Sequence, residues 1–321
     1  MSKKILIAGC GQLGTRHLQS LAKADESFVI DLLDPFIDCL NKAKNTLDQT
    51  ATHSHQIRMH ESIDSLTEKS FDFIIIATNS DVRLGLVENL LRQGVVSKGW
   101  LLEKVLCQST KDCDHLKNIL NSSLAWVNCP RRIYHFYQAL KLVFYPDLPL
   151  EVTFKGTNWG LACNSIHYID LIAYLSNSTP IKVDTSNLSS EILHSRRPGF
   201  VEFMGQLDVT YSNRSTLKLI CSDDPETPMM LSISQPGIEV ECIEIKNILR
   251  IKKNGTWSEK FIKAPFQSEM TLDLIQNFLS HQQIQLPSLA ESVEQHRLLL
   301  GGLIDFYNKL SGVSHEILPI T

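Results

Sequence analysis

The chain predicts an α/β protein in two parts: a doubly wound parallel sheet of Rossmann type, then an α+β domain with a large, mostly antiparallel sheet. Three observations carry this. An apolar run over residues 5–8 breaks into Gly9-Cys10-Gly11-Gln12-Leu13-Gly14. Short apolar segments and amphipathic segments then alternate through residue 127, whereas β-rich runs dominate the remainder. At 321 residues the chain exceeds the usual size of one domain. The boundaries predicted are 1–127 and 128–321, with the C-terminal helix able to pack back on the first domain.

Residues 5–8 suit a parallel strand buried on both faces. In the turn that follows, Gly9 allows the tight bend and Gly11 lets the backbone approach a pyrophosphate, while Gly14 lets the next helix lie close to the sheet. That helix, over about residues 12–24, starts at Gln12 and Leu13 and presents free N–H groups and a positive dipole end to phosphates. Three glycines beside a strand are equally consistent with a plain tight turn. Position adds weight: a second strand over 28–33 ends in Asp34, twenty residues beyond Gly14, where a ribose-binding carboxylate belongs. Its charge accepts ribose hydroxyls and repels a 2′-phosphate, which favours NAD over NADP. Asp34-Pro35 is also a turn starter.

The later elements follow in order. A helix is expected over about 36–47, a short strand near 56–60, a strong strand over 71–77 and a helix over 82–93 closed by Gly94. A strand over 100–106, a helix over 112–120 and a short strand over 125–128 complete the first part. This alternation implies right-handed crossovers and a ligand crevice at the carboxyl ends of the strands. The second part starts with a helix over 164–175. Strands are expected over 203–211, 215–221, 229–234, 238–245 and 248–252, punctuated by Asn247 and Lys253-Asn254-Gly255, with helices over 270–279 and 288–310. There is no internal repeat and no low-complexity tract.

Composition narrows the function classes. Hydrophobic residues make up 43% of the chain and the formal net charge is −4, so no basic surface for nucleic acid is expected. The eight cysteines, at 10, 39, 107, 113, 129, 163, 221 and 242, include no C-x-x-C pair. Reduced thiols in a cytosolic protein account for them better than disulfides or a zinc site, and no metal centre is expected. Only residues 5–8 follow the first lysines as an apolar run, too short for a signal peptide, and no stretch reaches the ~18 apolar residues of a membrane span. A soluble, cytoplasmic protein without membrane or nucleic-acid partners is expected. His53, His55 and His60 lack metal-ligand spacing and are expected at the surface.

With the glycine turn and this layout, the chain resembles the Gfo/Idh/MocA family of nicotinamide-dependent oxidoreductases over essentially its full length. The segments that carry the likeness are Gly9 to Gly14, Ala77-Thr78-Asn79-Ser80, Glu103-Lys104-Val105 and Asn164-Ser165-Ile166-His167-Tyr168-Ile169-Asp170. The resemblance implies that Ala77, Thr78 and Asn79 flank the cofactor, that Glu103 adjoins it, and that Lys104 sits beside the nicotinamide and the reacting hydroxyl. An alcohol losing hydride must also lose a proton, so a cation there holds the developing oxyanion or relays that proton. The family usually has proline at the Asn79 position, often histidine at Arg83, and proline at Val105. A cis bond before valine costs about 3 kcal/mol, so a trans Lys104–Val105 bond is expected.

His167 matches the histidine that many relatives place opposite the lysine across the substrate. Asn164 is expected to cap its helix, with Asn164, His167 and Asp170 along one face and His167 in the first turn, where the positive helix end favours neutral imidazole. Many relatives carry aspartate where Cys163 stands, so either Asn164 or Asp170 orients the imidazole or the acid–base pair reduces to Lys104 and His167. Substrate contacts are expected from Asn164, Asp170 and Arg132. Arg131 and Arg132 also suit an ion-pair clasp, and Arg196 and Arg197 lie in a loop before Pro198-Gly199.

The activity implied is hydride transfer between NAD and a hydroxyl or carbonyl carbon of a sugar or nucleotide-sugar derivative. The runs Gly160 to His167 and Leu318-Pro319-Ile320-Thr321 resemble a branch tied to bacterial surface-glycan synthesis. The alternatives are a glycosidase that uses NAD without net redox, and a noncatalytic dinucleotide-binding sensor or partner. A homodimer or homotetramer is expected from the resemblance, the second sheet offering one face to helices and another to a second subunit.

Overall fold

In the computed structural model, which describes residues 2–50 and 54–321, the N-terminal alternation builds a six-stranded sheet. Its strands are β1 (Lys3–Ala8), β2 (Phe28–Leu33), β3 (Gln56–His60), β4 (Phe73–Ile76), β5 (Gly99–Leu102) and β6 (Leu124–Val127). They run in the order β3-β2-β1-β4-β5-β6, with every neighbouring pair parallel. Parallel strands are covered on both faces, which is why Ile5, Leu6, Ile7 and Ala8 are all fully buried. Helices α1 (Gln12–Leu21), α2 (Ile37–Thr50), α3 (Ser80–Arg92) and α4 (Thr110–Ile119) follow β1, β2, β4 and β5. The strand expected over 71–77 is split at Asp72, whose carboxylate accepts from Lys4 N and Lys98 Nζ. Ser70–Phe71 pairs instead with Val96–Ser97.

The chain divides into two units, the first comprising Met1–Cys107, Asp114–Asn128 and Pro265–Ala290. The last of these segments brings a helix from late in the sequence, α7 (Gln267–His281), into the first unit beside α1. Phe278 of α7 packs against Phe73 and Trp126, at ring-centroid distances of 5.0 and 5.6 Å. A Cβ at Gly99 would stand 2.6 Å from the Phe278 ring, so this strand position has room only for glycine. Helix α7 thus belongs to the N-terminal fold although it comes from late in the chain.

The second unit comprises Gln108–Cys113, Cys129–Ala264 and Glu291–Thr321. Its sheet has eight strands: β7 (Glu151–Thr157), β8 (Pro180–Leu188), β9 (Gly205–Tyr211), β10 (Thr216–Ser222), β11 (Met230–Gln235), β12 (Ile238–Ile243), β13 (Ile248–Lys253) and β14 (Thr256–Phe261). They are ordered β8-β9-β10-β7-β11-β12-β13-β14. The β7–β10 pair is parallel and the other neighbours are antiparallel. Helices α5 (His135–Lys141), α6 (Leu161–Ser176) and α8 (Leu289–Ser311) complete the unit. Asn247, Asn254 and Gly255 have φ of 58°, 52° and 80°, the left-handed geometry that tight hairpins require.

Three strands of this eight-stranded sheet have no counterpart in the sequence reading. Central β7 alternates buried positions with Thr153, Lys155 and Thr157, and edge strand β14 is exposed along its whole length. Strand β8 is mostly polar. Their places are set by hydrogen bonds to neighbours distant in sequence; β8 and β14 carry no apolar period to read, and the alternation of β7 rests on only two large apolar residues, Val152 and Phe154.

The histidines correct another expectation. His55 is buried, accepting from Phe28 N and donating to Leu21 O, and buried His60 meets Asp31 Oδ1 at 2.7 Å and Ser65 O at 3.0 Å. Each has found polar partners under the edge of the first sheet, so neither needs solvent. His53 lies outside the described residues. No described helix is long and apolar enough to cross a membrane, and no described group of three His, Cys, Asp or Glu residues is arranged to hold a metal ion. All eight cysteines are free thiols.

Candidate active site

In the first unit the glycines of the β1–α1 turn have separable roles. Gly9 has φ +93°, and a Cβ there would lie 2.8 Å from Thr78 N; one on Gly14 would lie 1.8 Å from Gly9 O. The protein's own packing therefore demands both. Gly11 is different: its φ is −65°, and a Cβ there would meet nothing within 4 Å. Nothing in the chain needs glycine at that exposed position, yet the absence of a side chain leaves the backbone amides at the start of α1 open to a ligand. Gln12 is exposed beside it and Leu13 half-buried.

Asp34 lies at the end of β2 against this turn and is 7% exposed. Its Oδ2 accepts from Cys10 N at 2.7 Å and its Oδ1 from Phe36 N at 3.0 Å. Asp34 starts the turn, and its carboxylate also reaches the glycine loop at Cys10. About four lone-pair directions are available to a carboxylate, so two remain for ribose hydroxyls. Burial, and then the Asp34 charge, push the Cys10 thiol far above its ordinary pKa, which makes it a packed side chain and no nucleophile. The Thr78 hydroxyl, on the loop opposite Gly9, is buried with no hydrogen-bonding partner in the protein. An open glycine, a poised carboxylate and an orphaned hydroxyl together fit a dinucleotide.

Past β4, Ala77 and Thr78 are half-buried and Asn79 is exposed. Arg83, one turn into α3, is 1% exposed and donates to the carbonyls of Thr78, Val105 and Leu106, the last at 2.9 Å. The Lys104–Val105 peptide is cis, against the trans bond expected from the valine. The local demand is visible: the Val105 side chain is fully buried while its carbonyl and the next converge on one guanidinium. Lys104 itself is half-buried at the exit of β5.

Glu103, expected beside the cofactor, is engaged inside the first unit. It is 3% exposed, its Oε1 lies 2.9 Å from His17 Nε2, and it accepts from Asn128 Nδ2. His17 is fully buried and its Nδ1 lies 2.8 Å from Thr271 Oγ1. Gln267 closes the network, donating to Thr271 Oγ1 at 3.2 Å and accepting from Asn128 Nδ2 at 2.9 Å. Burial works to raise the pKa of Glu103, but the hydrogen bond and charge of His17, helped by Asn128 and Arg83, hold it below the ordinary glutamate value. The sequence reading missed His17. A signal existed, because Gly14, His17, Leu18 and Leu21 form the buried stripe of α1, and a polar residue there needs a polar partner.

In the second unit α6 begins earlier than expected, at Leu161, after Gly160 in the left-handed region at φ 75°. Asn164 is therefore not the cap; its Nδ2 donates to Trp159 O at 2.7 Å. Capping falls to Glu202, whose carboxylate accepts from Ala162 N at 2.7 Å and Cys163 N at 3.2 Å. Nothing in the sequence marks Glu202, which lies 39 residues beyond Cys163 and reaches the helix only through the fold. His167 is half-buried in the second turn of α6, one turn further from the positive helix end than expected.

Asp170 and Arg132, expected at the substrate, are occupied with each other. Arg132 Nε donates to Asp170 Oδ2 at 2.9 Å, and its Nη2 reaches both Asp170 Oδ1 and Glu291. Burial pushes the Asp170 carboxyl up to about 6, against the pull of the guanidinium. Arg131 is likewise clasped, by Glu244 at 3.2 Å and over the Tyr168 ring at 4.5 Å. Arg196 and Arg197 are exposed in their loop.

A strand order of β3-β2-β1-β4-β5-β6 with a glycine turn after β1, followed by an eight-stranded mixed sheet, is a fold this chain shares with several solved structures. Among solved structures, the chain is similar to UDP-N-acetylglucosamine 3-dehydrogenase GnnA from Acidithiobacillus ferrooxidans, with a TM-score of 0.72 and 17% identity over 94% of this chain and 96% of that one. An oxidoreductase from Agrobacterium radiobacter, in complex with NAD+, L-tartaric acid and magnesium, matches with a TM-score of 0.69 and 14% identity over 96% and 97% of the two chains. A super-repressor mutant of Gal80p from Saccharomyces cerevisiae matches with a TM-score of 0.75 and 13% identity over 98% and 99%. No protein-family model matches the chain, and no curated protein sequence does.

Proposed function

We propose that this chain is an NAD-dependent oxidoreductase acting on a hydroxyl-bearing carbon of a sugar or sugar derivative. The observation that carries the dinucleotide half of this reading is Gly11, whose missing side chain serves no contact within the protein. Gly9, Gly14, Gln12 and Leu13 shape the phosphate end of the site, Asp34 takes the ribose hydroxyls, and Ala77, Thr78 and Asn79 line the opposite side. When bound, NAD supplies a two-electron hydride acceptor. The chain's own residues must then manage the proton: in the first unit Lys104 holds the developing alkoxide or relays its proton, and the second unit carries His167 as the other acid–base group that the resemblance implies. The solved structures of the same fold that are dehydrogenases or oxidoreductases support the redox assignment. A nucleotide sugar of surface-glycan synthesis is the substrate class we favour, in keeping with the dehydrogenase named for UDP-N-acetylglucosamine.

A second reading follows from the likeness to Gal80p, named as a repressor: a dinucleotide-binding partner without turnover. Calorimetry with NAD and NADP, followed by NAD reduction against polyols, aldoses and nucleotide sugars, separates the two. Asp34→Ala and Gly11→Val are expected to weaken NAD at least about tenfold, with Gly11→Val changing stability by less than about 1 kcal/mol. Lys104→Ala is expected to lower kcat by about a hundredfold or more. Binding of NAD with no turnover on any of these substrates supports the partner reading; no binding of either dinucleotide overturns both.

A further inference from the structure

Lys104 stands between two buried polar anchors. On its amino side the Glu103 carboxylate is tied to His17 and Asn128, and through them to Thr271 and Gln267. On its carboxyl side Arg83 gathers the carbonyls of Val105 and Leu106 together with that of Thr78. Neither anchor is an economical way to stabilise a fold. Burying an ion pair often gains nothing over apolar residues of the same volume, and burying a guanidinium against backbone carbonyls forfeits its hydration. What such networks do supply, when satisfied, is a single local geometry. Here both converge on the segment Glu103 to Leu106, which carries the half-buried Lys104.

We propose that His17 and Arg83 are positioning residues for Lys104, fixing the backbone on its two sides so that its ammonium is presented in one direction. His17 acts through Glu103, whose orientation it shares with Asn128. Arg83 acts through the Val105 and Leu106 carbonyls, and its bond to Thr78 O links that segment to the loop facing Gly9. The proposal rests on the reading of Lys104 as the proton-handling group, but the local geometry can be tested without turnover.

The test is the pH dependence of reductive methylation at Lys104, followed by mass spectrometry, with exposed Lys218 as the internal reference. The variants are His17→Gln and Arg83→Met, with the milder His17→Asn and Arg83→Lys should either lose the fold by circular dichroism. The rate or midpoint at Lys104 is expected to shift in both positions while Lys218 stays constant. On the substrate found by the screen, kcat is expected to fall by about tenfold to a hundredfold with KM little changed. NAD affinity of the His17 variant is expected to stay within about twofold. Unchanged Lys104 labelling in folded variants overturns the proposal and leaves the networks as packing. Shifted labelling in a protein that turns over no substrate instead overturns the catalytic reading while the positioning stands.

Discussion

At Glu103 a carboxylate with almost no solvent contact stays easier to ionise than an exposed glutamate, because the His17 ring and the Asn128 amide offset its desolvation. Its folded pKa lies below the unfolded one. The stabilisation is therefore present above the ordinary glutamate pKa of about 4.3 and is lost as pH falls through the folded value. Glu103→Gln keeps the shape and removes the charge; a loss of about 2 kcal/mol at neutral pH is expected. Denaturant melts across pH should show the gap between wild type and variant closing in acid, and a gap independent of pH contradicts the charged assignment. At this scale the sequence was most legible where a residue acts through its neighbours in the chain. Gly9 and Gly14 take the turn and the close approach their spacing predicts, and Asp34 starts the turn after β2, whereas Asn164 and Asp170 were drawn into contacts that helical spacing does not specify.

Helix α6 shows what changes at the scale of an element. Its period was readable from the sequence, but its start was not, because the capping carboxylate arrives from Glu202. A carboxylate at a helix N-terminus satisfies otherwise unpaired amides and opposes the positive dipole end. Glu202→Ala is expected to cost about 1–2 kcal/mol and to speed amide exchange at Ala162 and Cys163, with Glu202→Gln intermediate. Protection of those amides that survives Glu202→Ala would show that the cap is dispensable. The same carboxylate brings negative charge to Cys163, the position at which the resemblance expects aspartate.

For the whole molecule, the consequential feature is that the first unit is discontinuous in sequence. Helix α7 supplies Thr271 and Gln267 to the Glu103 network and Phe278 to the core beside Phe73 and Trp126. A fragment of residues 1–128 leaves those partners bare, and losing the Phe278 contact alone is worth about 3–5 kcal/mol. Thermal melts are expected to show no cooperative transition for 1–128, and recovery of one when 265–290 is fused through a flexible linker. Cooperative melting of the bare fragment would mean that α7 is an accessory. Periodicity and the chemistry of short turns were enough to announce the parallel sheet, the glycine cradle, the carboxylate after β2 and the lysine after β5, since each depends on residues close together in the chain. The route of α7, the central place of β7, the cap on α6, the cis bond after Lys104 and the burial of His17 depended on atoms brought together from distant segments. Packing and hydrogen-bond satisfaction choose among such encounters, and no local pattern records the choice.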